Sequence, residues 1–280
     1  MSKVGIINPG AMGISIAASA RAAGHVVLWS SAGRSAASRQ RAAEQGLLEV
    51  DSIADLCGAC ELILCVCPPH AAESVAGAVI AAGFRGLYCD GNAIAPRKAL
   101  AIGEAMSAAG IDFVDGSIIG PPAWKPGSTR FYLSGPSAAQ VADLFAGAVT
   151  EAIVIGDEIG RASALKMAFA SGTKGFTALQ AAIQALAESL GVREDLYREW
   201  ERRDADSATR AQDNMRGVTE KAWRFTGEMK EIADTFAGAG LPKGFFLAAH
   251  DVYQRMAHFK DADELPPLDE VLAALLDARP

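Results

Sequence analysis

The chain has 280 residues, 50% of them hydrophobic and 7% aromatic, and a formal net charge of −7, enough for one large or two smaller domains with a sizeable core. The acidic balance and the lack of any Lys/Arg-rich run argue against nucleic acid as a partner. No apolar run reaches the roughly 18 residues needed to cross a membrane, and with no signal-peptide layout at the start a cytoplasmic location is expected.

Residues 3–7 read as a short buried strand. Asn8-Pro9-Gly10-Ala11-Met12-Gly13 reads as a tight turn, 14–23 as a helix of small residues stopped by Gly24, and 25–29 as a second strand. This strand–turn–helix–strand unit is the phosphate-binding half of a dinucleotide fold, with the positive end of the helix facing the phosphates. Gly10 lets backbone approach a pyrophosphate and Gly13 lets the helix pack closely on the strand. The usual first glycine of the pattern is Asn8, a residue that tolerates a left-handed backbone. Asn8, Pro9, Gly10, Ala11, Met12 and Gly13 are therefore expected at the cofactor. After the second strand, an NAD site usually carries a carboxylate for the ribose hydroxyls. This chain has Ser30-Ser31-Ala32-Gly33-Arg34 instead. Ser30, Ser31 and Arg34 offer donors for a 2′-phosphate, which favours NADP; the other reading of Arg34 is a solvated loop residue.

Alternation continues with a helix at 35–45, strand 62–66 closed by Pro68-Pro69, helix 71–82, strand 87–89 and helix 96–109. Strands at 112–114 and 130–133, a helix at 137–147 and a last strand at 152–155 follow. This is the pattern of an α/β protein with a doubly wound, mostly parallel sheet covered on both faces. From 158 onward only helices are expected: a run over 159–190 that is apolar on nearly every face and so buried all round, then 196–203, 205–238, 245–259 and 268–278, with prolines at the boundaries. The expected domains are 1–157, dinucleotide-binding, and 158–280, all-helical. The apolar run needs more cover than one small domain supplies, so a homodimer is expected.

The cysteines are Cys57, Cys60, Cys65, Cys67 and Cys89. Cys57 and Cys60 precede a strand at a helix end, and Cys65 and Cys67 are expected to face different ways along it. With no second C-x-x-C and no H-x-x-H nearby, ordinary reduced thiols are expected rather than a metal or redox site. Cys67, at the strand's carboxyl end, is a candidate to line the cofactor cleft with Pro68.

Several segments line up with one family. Pro9-Gly10-Ala11-Met12-Gly13, Cys65-Val66-Cys67-Pro68-Pro69, Asp90-Gly91-Asn92-Ala93-Ile94-Ala95-Pro96 and Asp115-Gly116-Ser117-Ile118-Ile119-Gly120-Pro121, followed by Gly160 and Lys166, resemble the β-hydroxyacid dehydrogenases related to 6-phosphogluconate and 3-hydroxyisobutyrate dehydrogenase. The Leu241-Pro242-Lys243-Gly244 turn looks closer to a short 6-phosphogluconate-dehydrogenase-like branch. The resemblance implies a Rossmann-type N-terminal domain and hydride transfer between the nicotinamide and a small hydroxy or carbonyl substrate, with Lys166 as general acid/base. Departures fall at the substrate: the family's Ser is Ile119, its second Gly is Pro121, its Asn after the lysine is Ala170, and its Ser-Thr pair is Asn92-Ala93.

Lys166 can be argued without the family. An ammonium on a helix apolar on all sides is costly unless paired or needed, and burial lowers its pKa toward that of a useful acid; the alternative is a lysine snorkelling to the surface. Asn92 contacts the nicotinamide carboxamide or substrate, or forms an Asx turn. Ser117, with Ile119 and Gly120 in the substrate loop, contacts substrate or serves a turn. Lys174 meets an anionic substrate group or pairs at a surface or interface. His250 and Asp251 close the site, or His250 is a satisfied core or interface histidine. The competing functions are an imine reductase, against which Lys166 counts, and a dinucleotide-binding protein without turnover.

Overall fold

The computed structural model describes residues 1–260 and 262–277. They form two compact units that divide between Met167 and Ala168, inside a helix rather than at the end of the last strand.

The first unit is built on eight strands: β1 (Lys3–Ile7), β2 (Val26–Ser30), β3 (Leu48–Val50), β4 (Leu62–Cys65), β5 (Leu87–Asp90), β6 (Asp112–Ile119), β7 (Arg130–Ser134) and β8 (Glu151–Val154). Their order is β3-β2-β1-β4-β5-β6-β7-β8. The first six in that order are parallel; β7 runs antiparallel to β6, and β8 lies parallel to β7. The helices are α1 (Ala11–Ala22), α2 (Ala36–Glu44), α3 (Ile53–Ala59), α4 (Ala72–Ala81), α5 (Pro96–Ala108) and α6 (Ala138–Asp143), and α7 (Arg161–Ala170) runs from this unit into the next. Strand residues alternate between two cores, as period-2 geometry requires. Val4, Ile6, Leu62, Leu64 and Val114 pack with Ile14 and Ile16 of α1 and Val141 of α6. Ile7, Ile63, Cys65, Tyr88 and Phe113 pack with Leu56 of α3, Val79 of α4 and Ile102 of α5. The sheet is therefore covered on both faces, which is why its central strands read as unbroken apolar runs.

The second unit is helical: α8 (Phe176–Ser189), α9 (Arg193–Glu201), α10 (Ser207–Gly217), α11 (Ala222–Gly238), α12 (Gly244–Met256) and α13 (Leu268–Leu276). Position 278, the expected end of the last helix, lies outside the described residues. Among the described residues, no helix is long and apolar enough to cross a membrane.

Four expectations are corrected. The run 159–190 is not one helix buried all round. A π-helical turn, Ser171–Gly175, separates α7 from α8, where Gly175 faces Phe246 of α12 so closely that a Cβ would lie 2.7 Å from its ring. On the same segment Phe169, Phe176, Leu179, Leu186 and Leu190 are 46–66% exposed. The run 205–238 breaks at Gly217 into α10, a 3-10 turn at Thr219–Lys221 and α11; Thr219 Oγ1 bonds Arg216 O, 2.7 Å, at the break. The third strand, β3, carries no apolar alternation and pairs only with β2. The strand at 112–114 continues to Ile119 because β7 pairs with Asp115–Ile119 where the pairing of β5 with Asp112–Asp115 ends, so the expected substrate loop is largely strand.

Candidate active site

In an open α/β sheet, ligands bind beyond the carboxyl ends of the strands where the connections diverge. Here that point lies between β1 and β4. Asn8 takes a left-handed backbone, φ 66°, and folds the chain back so that Gly10 N bonds Asn8 O at 2.7 Å. Helix α1 then starts with Gly10 as its cap. A Cβ on Gly13 would lie 2.6 Å from Asn8 O, so the helix approaches the turn only with glycine there. Gly10 faces open space, with Asn8 Nδ2 at 3.9 Å as the nearest atom to a Cβ. Together these leave backbone amides at a helix N-terminus beside open space at Gly10, a donor set that fits the phosphates of a dinucleotide. Met12 packs against the core below the turn, Pro9 is buried and Ala11 is exposed at the mouth.

The end of β2 supplies cations. Arg34 Nη1 donates to Asn8 Oδ1 at 2.8 Å, so this guanidinium stands at the turn and is not a free loop residue. Arg41, which carried no expectation, reaches the same turn from α2: its Nε lies 3.5 Å from Pro9 O and its Nη2 donates to Ser38 Oγ at 3.1 Å. Its sequence signal was an arginine one helical pitch into the helix that follows β2. Glu49, on β3 next to Trp29, is ion-paired to Arg39, which also donates to Ser31 O, 3.2 Å. Ser30 and Ser31 are buried, and the Ser31 backbone is bonded to Val50 O and to Arg34 N.

The ends of β4 and β5 are clasped by Asn92. Its Oδ1 accepts from Cys67 N at 2.5 Å, and its Nδ2 donates to Asp90 Oδ2 at 2.9 Å and to Cys65 Sγ at 3.7 Å. Its backbone N bonds Asp90 Oδ1 at 2.9 Å. Both ends of this buried amide are bonded inside the protein, so Asn92 braces the Cys67-Pro68 segment; its side chain forms no Asx turn toward Pro96, where the helix starts without a side-chain cap. Cys65 and Cys67 do not face different ways. Residues i and i+2 of a strand share a face, both pack on the α3–α5 side, and their sulfurs are 3.7 Å apart, with the Cys65 thiol donating. The hydrogen bond to Cys67 and burial push the Cys65 thiol well up. Cys57, Cys60 and Cys89 are reduced and buried. Among the described residues, no group of three or more His, Cys, Asp or Glu is placed to hold a metal ion.

Two buried carboxyls lie opposite each other in register, Asp90 at the end of β5 and Asp115 in the middle of β6; the sequence motifs contain both without pointing to a role for either. Burial pushes Asp90 up to about 7, against the pull of its bonds from Asn92. Burial also raises Asp115, opposed by hydrogen bonds: Ser163 Oγ and N donate to it at 2.6 and 3.0 Å, and Ser134 Oγ at 3.1 Å. Ser134 Oγ in turn accepts from Ala162 N at 3.0 Å. This network caps α7 with a carboxylate and fixes its first turn on β6 and β7. The next turn carries Lys166, half-buried, whose Nζ donates to Ile118 O at 2.6 Å. Lys166 is thus on a helix with an exposed face, not one apolar and covered all round.

Ser117 lies within β6, not in a turn; it is wholly buried and its Oγ has no hydrogen-bond partner among the described residues. Ile119 is buried. Gly120, φ 123°, turns the chain where a Cβ would strike Ser128 O at 2.2 Å, and the loop beyond it is tied to α1 by Ala123 N donating to Ser15 Oγ, 2.9 Å. In the helical unit Lys174 is ion-paired to Glu228 and sits 4.3 Å from the Phe225 ring centroid, which takes up the charge offered to a substrate anion. His250 Nδ1 lies 3.0 Å from Thr226 O on α11, a satisfied histidine between two helices, and Asp251 is exposed.

Residues 3–145 match the family model described as the NAD binding domain of 6-phosphogluconate dehydrogenase, and residues 187–256 match a domain of unknown function, DUF1932. No curated protein matches the chain. Among solved structures, the conserved protein MTH1747, described as structurally similar to 3-hydroxyacid dehydrogenases, is 28% identical, with 91% of this chain and 97% of that one covered and a TM-score of 0.69. The Mycobacterium tuberculosis 3-hydroxyisobutyrate dehydrogenase bound to L-serine shares the fold at a TM-score of 0.72, 19% identity and 99% coverage of both chains. An Aspergillus terreus reductive aminase in complex with NADPH and ethyl levulinate does so at 0.58 and 19%, covering 98% of this chain and 99% of its own.

Proposed function

The chain belongs to the family of the NAD-binding domain of 6-phosphogluconate dehydrogenase, and on that premise we propose that it is an NADP-dependent oxidoreductase acting on a small hydroxy or carbonyl substrate, with Lys166 as general acid/base. The observation that carries the cofactor choice is the Arg34 guanidinium held on Asn8 Oδ1 beside the amide cradle of α1, with Arg41 reaching the same turn at Pro9 O and the neighbouring Glu49 ion-paired to Arg39. Asn8 through Gly13 would hold the diphosphate, Arg34 and Arg41 the 2′-phosphate, and the Cys67-Pro68 segment the nicotinamide end. When bound, the cofactor supplies or accepts the hydride. Lys166, fixed by the Asp115–Ser163 cap and oriented by Ile118 O, gives a proton to the substrate oxygen in reduction and takes it back in oxidation.

The substrate loop favours a second reading at the level of substrate. Ile119 has no hydroxyl and Pro121 no N–H, so two donors of a Ser-Gly-Gly grip are missing, which suits a carbonyl or imine lacking a carboxylate. The reductive aminase sharing this fold belongs to that chemistry. We also propose a homodimer, supported by the exposed stripe Phe169, Phe176, Leu179, Leu186 and Leu190, since a monomer rarely leaves so much contiguous apolar surface uncovered.

The test is a fluorescence titration of the purified protein and its Arg34→Ala variant with NADPH and NADH. NADPH is expected to bind more tightly, and the variant to lose about tenfold or more for NADPH alone, the worth of a charge-assisted bond. Equal losses for both cofactors, or a preference for NADH, refute the assignment of Arg34; binding of neither refutes the oxidoreductase reading.

A further inference from the structure

We propose that Cys65 and Cys67 are a peroxide-reactive thiol pair whose closure to a disulfide switches off dinucleotide binding; the second half rests on the cofactor reading above. The pair stands at the carboxyl end of β4, where the chain enters the cofactor cleft. The two sulfurs are already 3.7 Å apart on one face, and the Cys65 thiol donates to Cys67 Sγ. Cys67 lies two residues beyond the last residue of β4; extended backbone over that step separates Cα atoms by about 6.6 Å, the upper end of the roughly 4.4–6.8 Å that disulfides span, so closure draws the two residues together. Cys65 is wholly buried and Cys67 is half-buried, so solvent reaches one sulfur and the other waits beneath it. This is the arrangement of an attacking and a resolving thiol.

The chemistry needs hydrogen peroxide as the oxidant. Cys67 sulfur attacks one peroxide oxygen; the O–O bond breaks, an S–O bond forms, and the displaced hydroxide takes the Cys67 thiol proton and leaves as water. Cys65 sulfur then attacks Cys67 sulfur; the S–S bond forms, the S–O bond breaks, and the departing hydroxide takes the Cys65 proton. Two thiols and one peroxide give one disulfide and two waters, with two electrons passing from sulfur to oxygen.

The consequence follows from Asn92. Cys67 N is held by Asn92 Oδ1, and the same amide donates to Cys65 Sγ. Drawing Cys67 onto Cys65 pulls that N–H off its acceptor and shifts Pro68, the segment assigned to the nicotinamide end. The bond is formed at the expense of the brace, which makes it strained and readily reduced.

The experiment treats reduced protein with hydrogen peroxide, alkylates remaining thiols under denaturing conditions, and maps them by tandem mass spectrometry, with NADPH binding measured on the same samples. Expected is a peptide lighter by two hydrogens with the link at Cys65–Cys67, an NADPH affinity about tenfold or more weaker, and recovery of both after dithiothreitol. A Cys67→Ser variant keeps, after peroxide, whatever affinity it had before. Full alkylation of Cys65 and Cys67 after peroxide, or a link at Cys57–Cys60 instead, overturns the pair. A Cys65–Cys67 link with unchanged NADPH affinity overturns the switch. Reduced protein that binds no NADPH refutes the cofactor reading, and the thiol map still decides the pair.

Discussion

The buried carboxyl of Asp90 makes a prediction whose size can be worked from the structure. Burial raises Asp90 from 3.8 to about 7, with Asp115 opposite it adding repulsion. In the unfolded chain it titrates near the lower value. Between the two, the folded state keeps a proton that the unfolded state has lost, so this group favours folding most below about pH 4. Its contribution is lost as pH rises toward 7. The slope is about 1.4 kcal/mol per pH unit and the total about 4 kcal/mol over that window. Asp90→Asn is neutral at every pH and keeps one oxygen to accept from Asn92 N. The variant should therefore gain on the native protein by about 4 kcal/mol between pH 4 and 7, on top of a pH-independent offset from losing one acceptor for Asn92 Nδ2. Urea unfolding at a series of pH values, followed by tryptophan fluorescence, reads this difference, because Trp29 is buried in the same sheet. A stability difference that stays flat to within about 0.5 kcal/mol from pH 4 to 7 would show that Asp90 is already ionised in the fold, and the burial argument would fail.

Two further outcomes follow from the proposed function. Lys166→Ala should lower kcat on any accepted substrate by about 10²–10⁴-fold while leaving NADPH affinity nearly unchanged in a fluorescence titration; unchanged turnover removes the acid/base role. Light scattering after size exclusion should give twice the 29.1 kDa chain mass for the native protein and the single mass for Leu186→Glu; a native monomer ends the dimer proposal.

The sheet was legible because burial on both faces leaves its strands with no polar side to hide: β1, β4 and β5 each stand out as an apolar run between turn residues. β3 was not, since its Leu48-Glu49-Val50 sits at the sheet edge with its side chains largely exposed, and an edge strand needs no apolar pattern to pair. The long helices were over-extended for the opposite reason. Composition over 159–190 and 205–238 favours helix throughout; the break before α8 depends on how closely Phe246 approaches Gly175, whereas at Gly217 no atom stands near a Cβ position and the break is marked by the Thr219–Arg216 bond. At the site, the turn and helix start at Asn8–Gly13 were legible from the motif, but which polar groups are spent internally could not be read. Asn92 looks like a ligand in one dimension and is a brace in three, and Lys174 looks available until Glu228, far along the chain, is brought to it.

Asn8 shows what a departure from a motif adds to a turn. A glycine at that position would supply the left-handed backbone and nothing more. Asn8 supplies the same φ and then uses both ends of its amide: Nδ2 donates to Val66 O at 2.9 Å, tying the turn to the end of β4, and Oδ1 accepts from Arg34 at 2.8 Å. The substitution thus couples the turn after β1 to the loop after β2. Asn8→Gly keeps the turn, since glycine adopts the backbone at no steric cost, but releases Arg34. On the proposed reading NADH affinity should change little, while NADPH affinity falls by about tenfold, the worth of holding one charged donor in place. A parallel loss for both cofactors would mean that Asn8 serves the turn alone and that Arg34 needs no anchor; an unchanged NADPH affinity would mean that Arg41 carries the 2′-phosphate by itself.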